Sequence, residues 1–435
     1  MVGGLVKRAW RFDPFAAAVL AAFTLLALLW GLLMPIHESA DEQDHYRYMV
    51  FLKDHGRLPV QLPLPSESPG EGHQPPLYYA LGALALKAAA PTAAFTEAPR
   101  QATYFDRQPV YFVHGPDEGL LRFQGQAWPP HLLRILQVLF LLAPAVALLG
   151  WMLSQALPRD HARLAWVLLA LDPAFVALAG ALNNDHGAFV FGTLALACLA
   201  PVLQGRPLGL RHWLGFGAAV GLAGLAKPTA LGLLGVIPAL AWALPGQRRK
   251  GGPWLALGLA GLILAPWFWR NAALYGDLSA WNALVADCPQ CVHPKPWFNL
   301  HWWWFWLSRT FETFWGVFGW MTWRAGVGIT VGFAGICLAA LGGLAAGAWR
   351  RLRPEAWALV LGAFLGVLVV VLRHDMSLDP PAGRYFYGLL LPLGLGLGAG
   401  LPAPRWLPWL AGALLLGLHA WLILGRLLPM YHPHA

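Results

Sequence analysis

Residues 15–45 read FAAAVLAAFTLLALLWGLLMPIHESADEQDH, an apolar run that ends in a cluster of acids and histidines. About 20 apolar residues are needed to cross a bilayer, whereas the apolar region of a signal peptide is usually about 7–15 residues long. The stretch from Phe15 to Pro35 has the greater length, although Lys7, Arg8 and Arg11 precede it as in a signal peptide. We interpret it as an uncleaved first transmembrane helix that places the acidic cluster just outside the membrane.

The composition agrees with a membrane protein. Of the 435 residues 58% are hydrophobic and 12% are charged, against about 25% charged residues in soluble proteins. A soluble enzyme is therefore excluded, and the fold class predicted is all-α, a polytopic membrane protein of about 11 transmembrane helices. The predicted spans are 15–35, 131–153, 162–182, 184–203, 211–226, 228–245, 253–270, 325–348, 355–373, 384–401 and 405–425.

The basic residues predict the orientation of these spans. The N-terminal segment and alternate short loops carry Lys7, Arg8, Arg11, Arg159, Arg163, Arg206, Arg211, Arg248, Arg249, Lys250, Arg350, Arg351, Arg353 and Arg405. By the positive-inside bias these segments are cytoplasmic, so the N-terminus lies in the cytoplasm and the C-terminus lies outside. The net charge of +9 is then an orientation signal, and we predict no nucleic-acid partner.

The same alternation gives a single domain, 1–435, with two long extracytoplasmic loops at 37–130 and 271–324. Eleven of the 21 Asp and Glu residues lie in the first loop, between Glu38 and Glu118. The short apolar stretch 76–90 predicts an interfacial helix on the outer leaflet, because a further span would invert every later helix. The Trp-rich stretch 301–323 predicts a second interfacial element, with an ordinary aromatic belt as the alternative.

Charged groups recur at the outer ends of the predicted spans. A helix starting near Ser39 would place Asp41, Asp44 and His45 on one face, although acids also favour any solvated helix start. Ionisable groups at membrane depth usually line a cavity or pair with one another. A charged side chain that merely snorkels to the interface could account for any one of the charges at the four later outer ends. It accounts less well for all four together. These ends carry Asn184-Asp185, Lys227, Arg270 and Arg384-Tyr385.

The order of these motifs resembles the GT-C superfamily of integral-membrane glycosyltransferases, which includes protein O-mannosyltransferases and lipid A aminoarabinose transferases. Asp41-Glu42 is similar to the acidic motif of that superfamily's first external loop. The stretch HQPPLYY at 73–79 is similar to its interfacial segment, and Leu132-Leu133-Arg134 to the start of its second span. Asn184-Asp185 and Ala226-Lys227-Pro228 follow in the same order, and the stretches Pro266–Asp277, Phe314–Gly316 and Gly383–Tyr385 resemble a bacterial subgroup of the superfamily.

The resemblance implies transfer of a sugar from a polyprenyl-phosphate donor to a lipid, glycan or protein acceptor, with inversion, at the outer face of a bacterial inner membrane. It implies Asp41 as the general base, with Glu42 as second choice. Cationic side chains suit the departing phosphate, and the candidates are Arg384, Arg270 and Lys227. The other pocket candidates are His45, His73, Tyr78, Asn184, Asp185 and Tyr385. A Trp-rich wall after His301 would shelter the lipid tail.

Three further points stay open in the sequence. A divalent metal could be held by ligands among His37, Glu38, His45, His73, Asp185 and His186, but no tight ligand motif is present. Cys288 and Cys291 predict a local disulfide outside the cytoplasm, and the alternative interpretation of this pair is a metal or redox site. A transporter or flippase for a lipid-linked substrate, or an O-antigen ligase or polymerase, is an alternative function. Transporters usually have internal repeats, and none is evident.

Overall fold

A computed structural model describes residues 13–101, 110–115, 118–244, 246, 251–378 and 380–433. The basic residues Lys7, Arg8, Arg11 and Arg248–Lys250 lie outside the described residues. Regular structure is almost entirely helical. In chain order the α-helices are α1 (Pro14–Leu33), α2 (Glu42–His55), α3 (Leu77–Ala89), α4 (Trp128–Gln137), α5 (Ala143–Ala156), α6 (Arg159–Ala170), α7 (Pro173–Ala179), α8 (Asp185–Cys198), α9 (Ala200–Leu203), α10 (Leu210–Ala226), α11 (Val236–Ala243), α12 (Gly252–Tyr275), α13 (Trp281–Asp287), α14 (Leu300–Trp315), α15 (Val327–Ala345), α16 (Pro354–Asp375), α17 (Leu390–Gly400), α18 (Leu407–Leu422) and α19 (Leu428–Tyr431).

Shorter elements connect these helices. Two antiparallel hairpins are formed by β1 (Glu118–Gly119) with β2 (Arg122–Phe123) and by β3 (Val317–Phe318) with β4 (Trp323–Arg324). Single 3₁₀ segments occupy Gly125–Ala127, Pro228–Gly235, Pro289–Cys291, Ala348–Arg351 and Gly383–Leu389, and π turns occupy Val138–Leu142 and Ile423–Leu427.

Several helices have the length and apolarity of membrane spans. Within the described residues, 6 helices meet that standard, and α6 with α7 would make a seventh span bent by 57°. The prediction of a multi-span helical protein is supported, whereas the predicted number of about 11 is not reached by this measure. The reason is local, because several apolar stretches are interrupted. The predicted span 228–245, for example, divides into a 3₁₀ segment starting at Pro228 and the short helix α11.

The helix boundaries around the acidic cluster follow from local chemistry. The side chain of Asp13 caps α1 by accepting a hydrogen bond from the Phe15 amide, and Pro14 fits the first helical position. Glu42 and Asp44 in the first turn of α2, with Lys53 and His55 in its last turn, complement the helix dipole. The acidic cluster is therefore split between the turn after α1 and the first turns of α2.

Two buried clusters position these elements. The large core joins the apolar faces of α1, α5–α8 and α16–α18. A second, aromatic core joins α2, α3 and α4 through Tyr46, Tyr48, Tyr79 and Leu133, among others. Between α1 and α7 the backbones approach closely, since a Cβ on Gly31 would lie 2.8 Å from the carbonyl oxygen of Gly180. The end of α1 is thereby fixed beside the α7–α8 turn.

The two predicted interfacial elements are both helical. The stretch 76–90 forms the 13-residue helix α3. The Trp-rich stretch forms α14, which buries Trp302 and Trp306 and leaves Trp304 69% exposed, so the helix has one buried and one exposed face. The hairpin β3–β4 that follows α14 was not predicted.

Candidate functional site

Asp41 lies in a tight turn between α1 and α2. Its φ angle is +62°, and His37 earlier in the same turn has a φ of +70°. Few residues other than glycine adopt this left-handed region, so surrounding contacts must hold the turn in place.

Those contacts come mainly from Arg134 on α4, whose five N–H groups all donate hydrogen bonds. Nε and Nη2 bind the two oxygens of Glu42 at 2.7 and 2.5 Å. Nη1 and Nη2 bind the backbone oxygens of Gly31, Met34 and Pro35 at 2.9, 2.6 and 3.0 Å. This fork pins the end of α1 to the start of α2.

Glu42 is the partner of this fork. Its oxygens also accept from the amides of Leu182 and His37, at 2.8 and 3.0 Å, and its side chain is 0% exposed. Burial favours the neutral acid, but Arg134 outweighs it and holds the pKa of Glu42 below its usual range. Because both oxygens are occupied and inaccessible, the structure does not support Glu42 as the alternative base.

The cluster around Asp41 consists of two acids and two bases from four separate elements. Asp41 Oδ2 lies 2.5 Å from Arg384 Nη2. Arg384 Nε lies 3.5 Å from Asp185 Oδ2, and Lys227 Nζ lies 2.5 Å from Asp185 Oδ1. We call these four residues the charge cluster. Its formal charges cancel, and of its members Asp41 is the most accessible, with 32% of its side chain exposed.

The pKa values in the charge cluster reflect this mutual pairing. Burial alone would raise the pKa of Asp41, but the guanidinium of Arg384 lowers it below its ordinary value. Burial lowers the pKa of Lys227, and Asp185 opposes that shift only in part. Asp41 is therefore ionised at neutral pH and able to accept a proton.

Tyr385 supports the two cations. Lys227 Nζ lies 5.0 Å and Arg384 Cζ 5.6 Å from the centre of its ring, within the range of cation–π contact. The predicted candidates Asp41, Asp185, Lys227, Arg384 and Tyr385 thus come together, although they are far apart in the sequence.

A second group adjoins Asp41 through Tyr79. The Tyr79 hydroxyl donates to Glu71 at 2.9 Å, accepts from the Asn184 side chain at 3.1 Å, and lies 3.0 Å from His45 Nδ1. Burial and the nearby charge of Asp41 raise the pKa of Glu71 to about 8, so Glu71 is largely protonated at neutral pH. Neither Glu71 nor Tyr79 was predicted as a site residue from the sequence. The one signal for Tyr79 was its place at the end of the HQPPLYY segment.

Asp41, His45 and Glu71 could also hold a metal ion. One ligand atom from each lies within 4.8 Å of the others. The donor set of two carboxyls and one imidazole is of a kind that divalent metals accept. His45 Nε2 is buried without a hydrogen-bond partner, which agrees with a ligand at this position. Of the predicted ligands, the structure brings only His45 into this group.

The remaining three predicted residues, Arg270, His73 and Tyr78, belong neither to the charge cluster nor to the group around Tyr79. Arg270 donates to the carbonyl of Pro59 at 2.5 Å and stacks on Trp267, so its guanidinium braces the first loop. Burial lowers the pKa of His73 to about 4, which makes it a neutral side chain and a poor phosphate ligand. The Tyr78 hydroxyl bonds the Gln137 side chain and the Asn183 amide, each at 2.9 Å, and thereby holds the turn that precedes Asp185.

Cys288 and Cys291 are joined by a disulfide with an S–S distance of 2.04 Å. Asp287, just before it, accepts a hydrogen bond from the Gly70 amide at 2.7 Å. The segment that carries the disulfide is therefore bonded to the part of the chain that carries Glu71.

Comparisons with known proteins agree with this architecture. The family model "Dolichyl-phosphate-mannose-protein mannosyltransferase" matches residues 130–269. ArnT from Cupriavidus metallidurans, solved bound to undecaprenyl phosphate, is similar in structure with a TM-score of 0.53 and 12% identity, over 97% of this chain and 74% of ArnT. The archaeal oligosaccharyltransferase AglB from Archaeoglobus fulgidus was solved with an inhibitory peptide and a dolichol-phosphate. It is similar in structure with a TM-score of 0.51 and 13% identity, over 98% of this chain and 56% of AglB. No curated protein sequence is significantly similar to this one.

The fold is therefore that of the GT-C membrane glycosyltransferases. The resemblance inferred from the sequence motifs is confirmed by the family model together with the two structural neighbours.

Proposed function

We propose that this protein transfers a sugar from a polyprenyl-phosphate donor to an acceptor hydroxyl at the extracytoplasmic face of the membrane, with inversion at the anomeric carbon. The observation that carries the proposal is the direct pairing of the accessible carboxylate of Asp41 with Arg384. A base and a phosphate ligand thus lie side by side. Both neighbours were solved with a prenyl phosphate, which supports the lipid-linked donor.

The reaction in this proposal begins at Asp41. The acceptor hydroxyl loses its proton to the Asp41 carboxylate while its oxygen forms a bond to the anomeric carbon. The bond from that carbon to the phosphate oxygen breaks on the opposite face, and its electron pair leaves with the prenyl phosphate. Inverting transfer requires this arrangement of base and leaving group on opposite faces of the sugar.

The ion pair couples these two events. A proton on Asp41 cancels the charge that holds Arg384, so the guanidinium becomes available to the phosphate. The phosphate needs the guanidinium at that moment, because the donor is a phosphodiester with one negative charge and the leaving group is a phosphate monoester with about 1.5 to 2 negative charges. Arg384 and Lys227 are then the residues that stabilise the leaving group.

A divalent ion held by Asp41, His45 and Glu71 would supply further positive charge near the phosphate. The proton transfer and the bond changes of the proposed reaction use only the side chains of this chain. Metal content can be measured directly by elemental analysis of the purified protein.

The proposed function also requires a particular orientation in the membrane. We infer about 11 membrane spans, a cytoplasmic N-terminus and a bacterial inner-membrane location, with the charge cluster on the outside. The positive-inside bias of the short loops supports this orientation. The acceptor is a lipid, glycan or protein of the cell envelope.

The test is the substitution Asp41→Asn in the full-length protein, assayed with a panel of polyprenyl-phosphate sugars. We expect turnover to fall by about 10²- to 10⁴-fold, the usual contribution of a general base. Binding of undecaprenyl phosphate should be retained or tightened, because Arg384 is no longer neutralised.

Asp54→Asn is the matched control, since Asp54 lies on the same helix, α2, with 46% of its side chain exposed. It should keep normal turnover. Near-normal turnover of Asp41→Asn would remove Asp41 as the base. Absence of transfer by the wild-type protein across the whole panel would overturn the proposed function.

A further inference from the structure

His374 and Asp375, at the end of α16, form a hydrogen-bonded pair that the mechanism above does not use. The Asp375 side chain is 1% exposed, and both of its oxygens are occupied. Oδ1 lies 2.8 Å from His374 Nδ1, and Oδ2 accepts from the indole of Trp306 at 2.8 Å. Asp375 therefore fixes the orientation of the His374 ring by accepting a hydrogen bond from Nδ1.

The other nitrogen of this histidine is uncommitted. His374 Nε2 has no hydrogen-bond partner among the residues that the structure describes, and 36% of the side chain is exposed. The imidazole packs edge-on against Tyr385, with the ring centres 5.1 Å apart. That tyrosine ring also carries Lys227 and Arg384. Three nitrogen-bearing side chains thus surround one aromatic ring, and His374 alone among them has no carboxylate at its free end.

Charge balance gives this uncommitted nitrogen a role. Lys227 and Arg384 are neutralised by Asp185 and Asp41 before the reaction. Proton transfer to Asp41 frees one cation, whereas the phosphate ends with about 1.5 to 2 negative charges. A second donor is needed for the rest of that charge, and it must lie next to the first two.

We propose that His374 binds the phosphate of the lipid carrier through Nε2, as a third ligand beside Arg384 and Lys227, and that Asp375 is its positioning residue. This inference rests on the proposed function and adds a ligand to the same site. The group that His374 would bind is a phosphate, which could belong to the lipid carrier or be free inorganic phosphate, and the binding experiments distinguish these two ligands.

The experiment measures binding of undecaprenyl phosphate to the purified full-length protein, independently of turnover. His374→Ala should weaken the affinity by about tenfold or more, the usual effect of losing a hydrogen bond to a charged group. His374→Gln keeps a side-chain N–H and should recover part of that loss. His55→Ala, at the exposed end of α2, is the matched control and should bind as the wild type does.

Two further measurements make the result decisive. Asp375→Asn should weaken binding in the direction of His374→Ala. A ring that donates to the phosphate from Nε2 while Nδ1 donates to Asp375 carries both protons, and a neutral amide stabilises that charged ring less than the carboxylate does. Inorganic phosphate should compete only weakly with undecaprenyl phosphate if the site is built for the lipid carrier.

An affinity of His374→Ala and His374→Gln within twofold of the wild type would overturn the assignment of His374 while leaving the proposed function intact. A wild-type protein that binds no undecaprenyl phosphate and transfers no sugar would overturn the proposed function itself. Loss of inorganic phosphate binding in His374→Ala, with undecaprenyl phosphate binding unchanged, would also contradict the inference.

Discussion

Glu71 carries a proton at neutral pH because it is buried next to Asp41. Its pKa of about 8 in the folded protein lies above its ordinary value of 4.5. Between these two values the folded state holds a proton that the unfolded state releases, so the free energy of unfolding decreases as the pH rises from about 4.5 to 8. Glu71→Gln removes this dependence, and its thermal stability at pH 5, 6.5 and 8 should vary less than that of the wild type.

Glu67→Gln is the control for this measurement. Hydrogen bonds from Arg57 lower the pKa of Glu67 to about 2, which is a shift in the opposite direction. The stability that Glu67 contributes is present above pH 4.5 and disappears below it, so this variant should keep the wild-type slope between pH 5 and 8. Equal slopes for Glu71→Gln and the wild type would show that Glu71 is ionised.

The two kinds of site residue differ in how far the sequence predicts them. Asp41, Asp185, Lys227 and Arg384 stand out because each is a charge at the end of an apolar stretch. Glu71 does not, because it lies in a polar, Pro-rich stretch where an acid is unremarkable. Its burial depends on how that stretch packs against α2 and α3, and no local pattern encodes this packing.

At the scale of elements, Arg134 and Glu42 connect α1, α2, α4 and the α7–α8 turn. Replacing Arg134 by Met leaves Glu42 buried without its partner, and we expect a loss of about 3–5 kcal/mol in the free energy of unfolding. The double variant with Glu42→Gln as well should recover part of this loss. Thermal unfolding of the two single variants and the double variant gives the coupling. Additive losses would contradict a direct pairing.

A separate network holds the end of the first loop. His114 lies 2.9 Å from an oxygen of both Glu38 and Glu118, and these hydrogen bonds outweigh its burial and raise its pKa to about 9. The ordinary value is 6.5, so the stability contributed by His114 is complete below that pH and is lost as the pH rises through 9. His114→Gln should therefore destabilise the protein at pH 6 more than at pH 10, as measured by thermal unfolding. An equal loss at both pH values would contradict a charged His114.

The helical elements were largely predictable, whereas the hairpins were not. The apolar stretch 76–90 predicted an interfacial helix and the Trp-rich stretch 301–323 an interfacial element, and the helices α3 and α14 lie in these stretches. The strands Val317–Phe318 and Trp323–Arg324 have two residues each. Two residues are too few to show the alternation that marks a strand.

At the scale of the whole molecule, the orientation can be tested with reporter fusions. A reporter joined after Arg206 should be active as a cytoplasmic fusion, and one joined after Gln290 should be active only outside the cytoplasm, because the short basic loops stay inside. The opposite pattern would place the charge cluster on the cytoplasmic side and exclude a donor on the outer leaflet.

The predicted helical class of fold is supported, whereas the number of about 11 spans stays a prediction. Hydropathy measures how apolar a stretch is and is insensitive to breaks within it. The stretch 384–401 contains a 3₁₀ segment, Gly383–Leu389, ahead of the 11-residue helix α17. This break places Arg384 beside Asp41, so the interruption of this apolar stretch also helps to build the site.

The cancelled charges of Asp41, Arg384, Lys227 and Asp185 have a consequence for selectivity. A strongly positive cleft attracts soluble anions over long distances, and a neutral one does not. Free phosphate and nucleotides therefore gain little from approaching this site. A lipid-anchored donor needs no such attraction, since it is already concentrated in the plane of the membrane. In the proposed reaction, neutrality would thus let the protein distinguish a lipid-linked donor from soluble phosphates by where the donor resides.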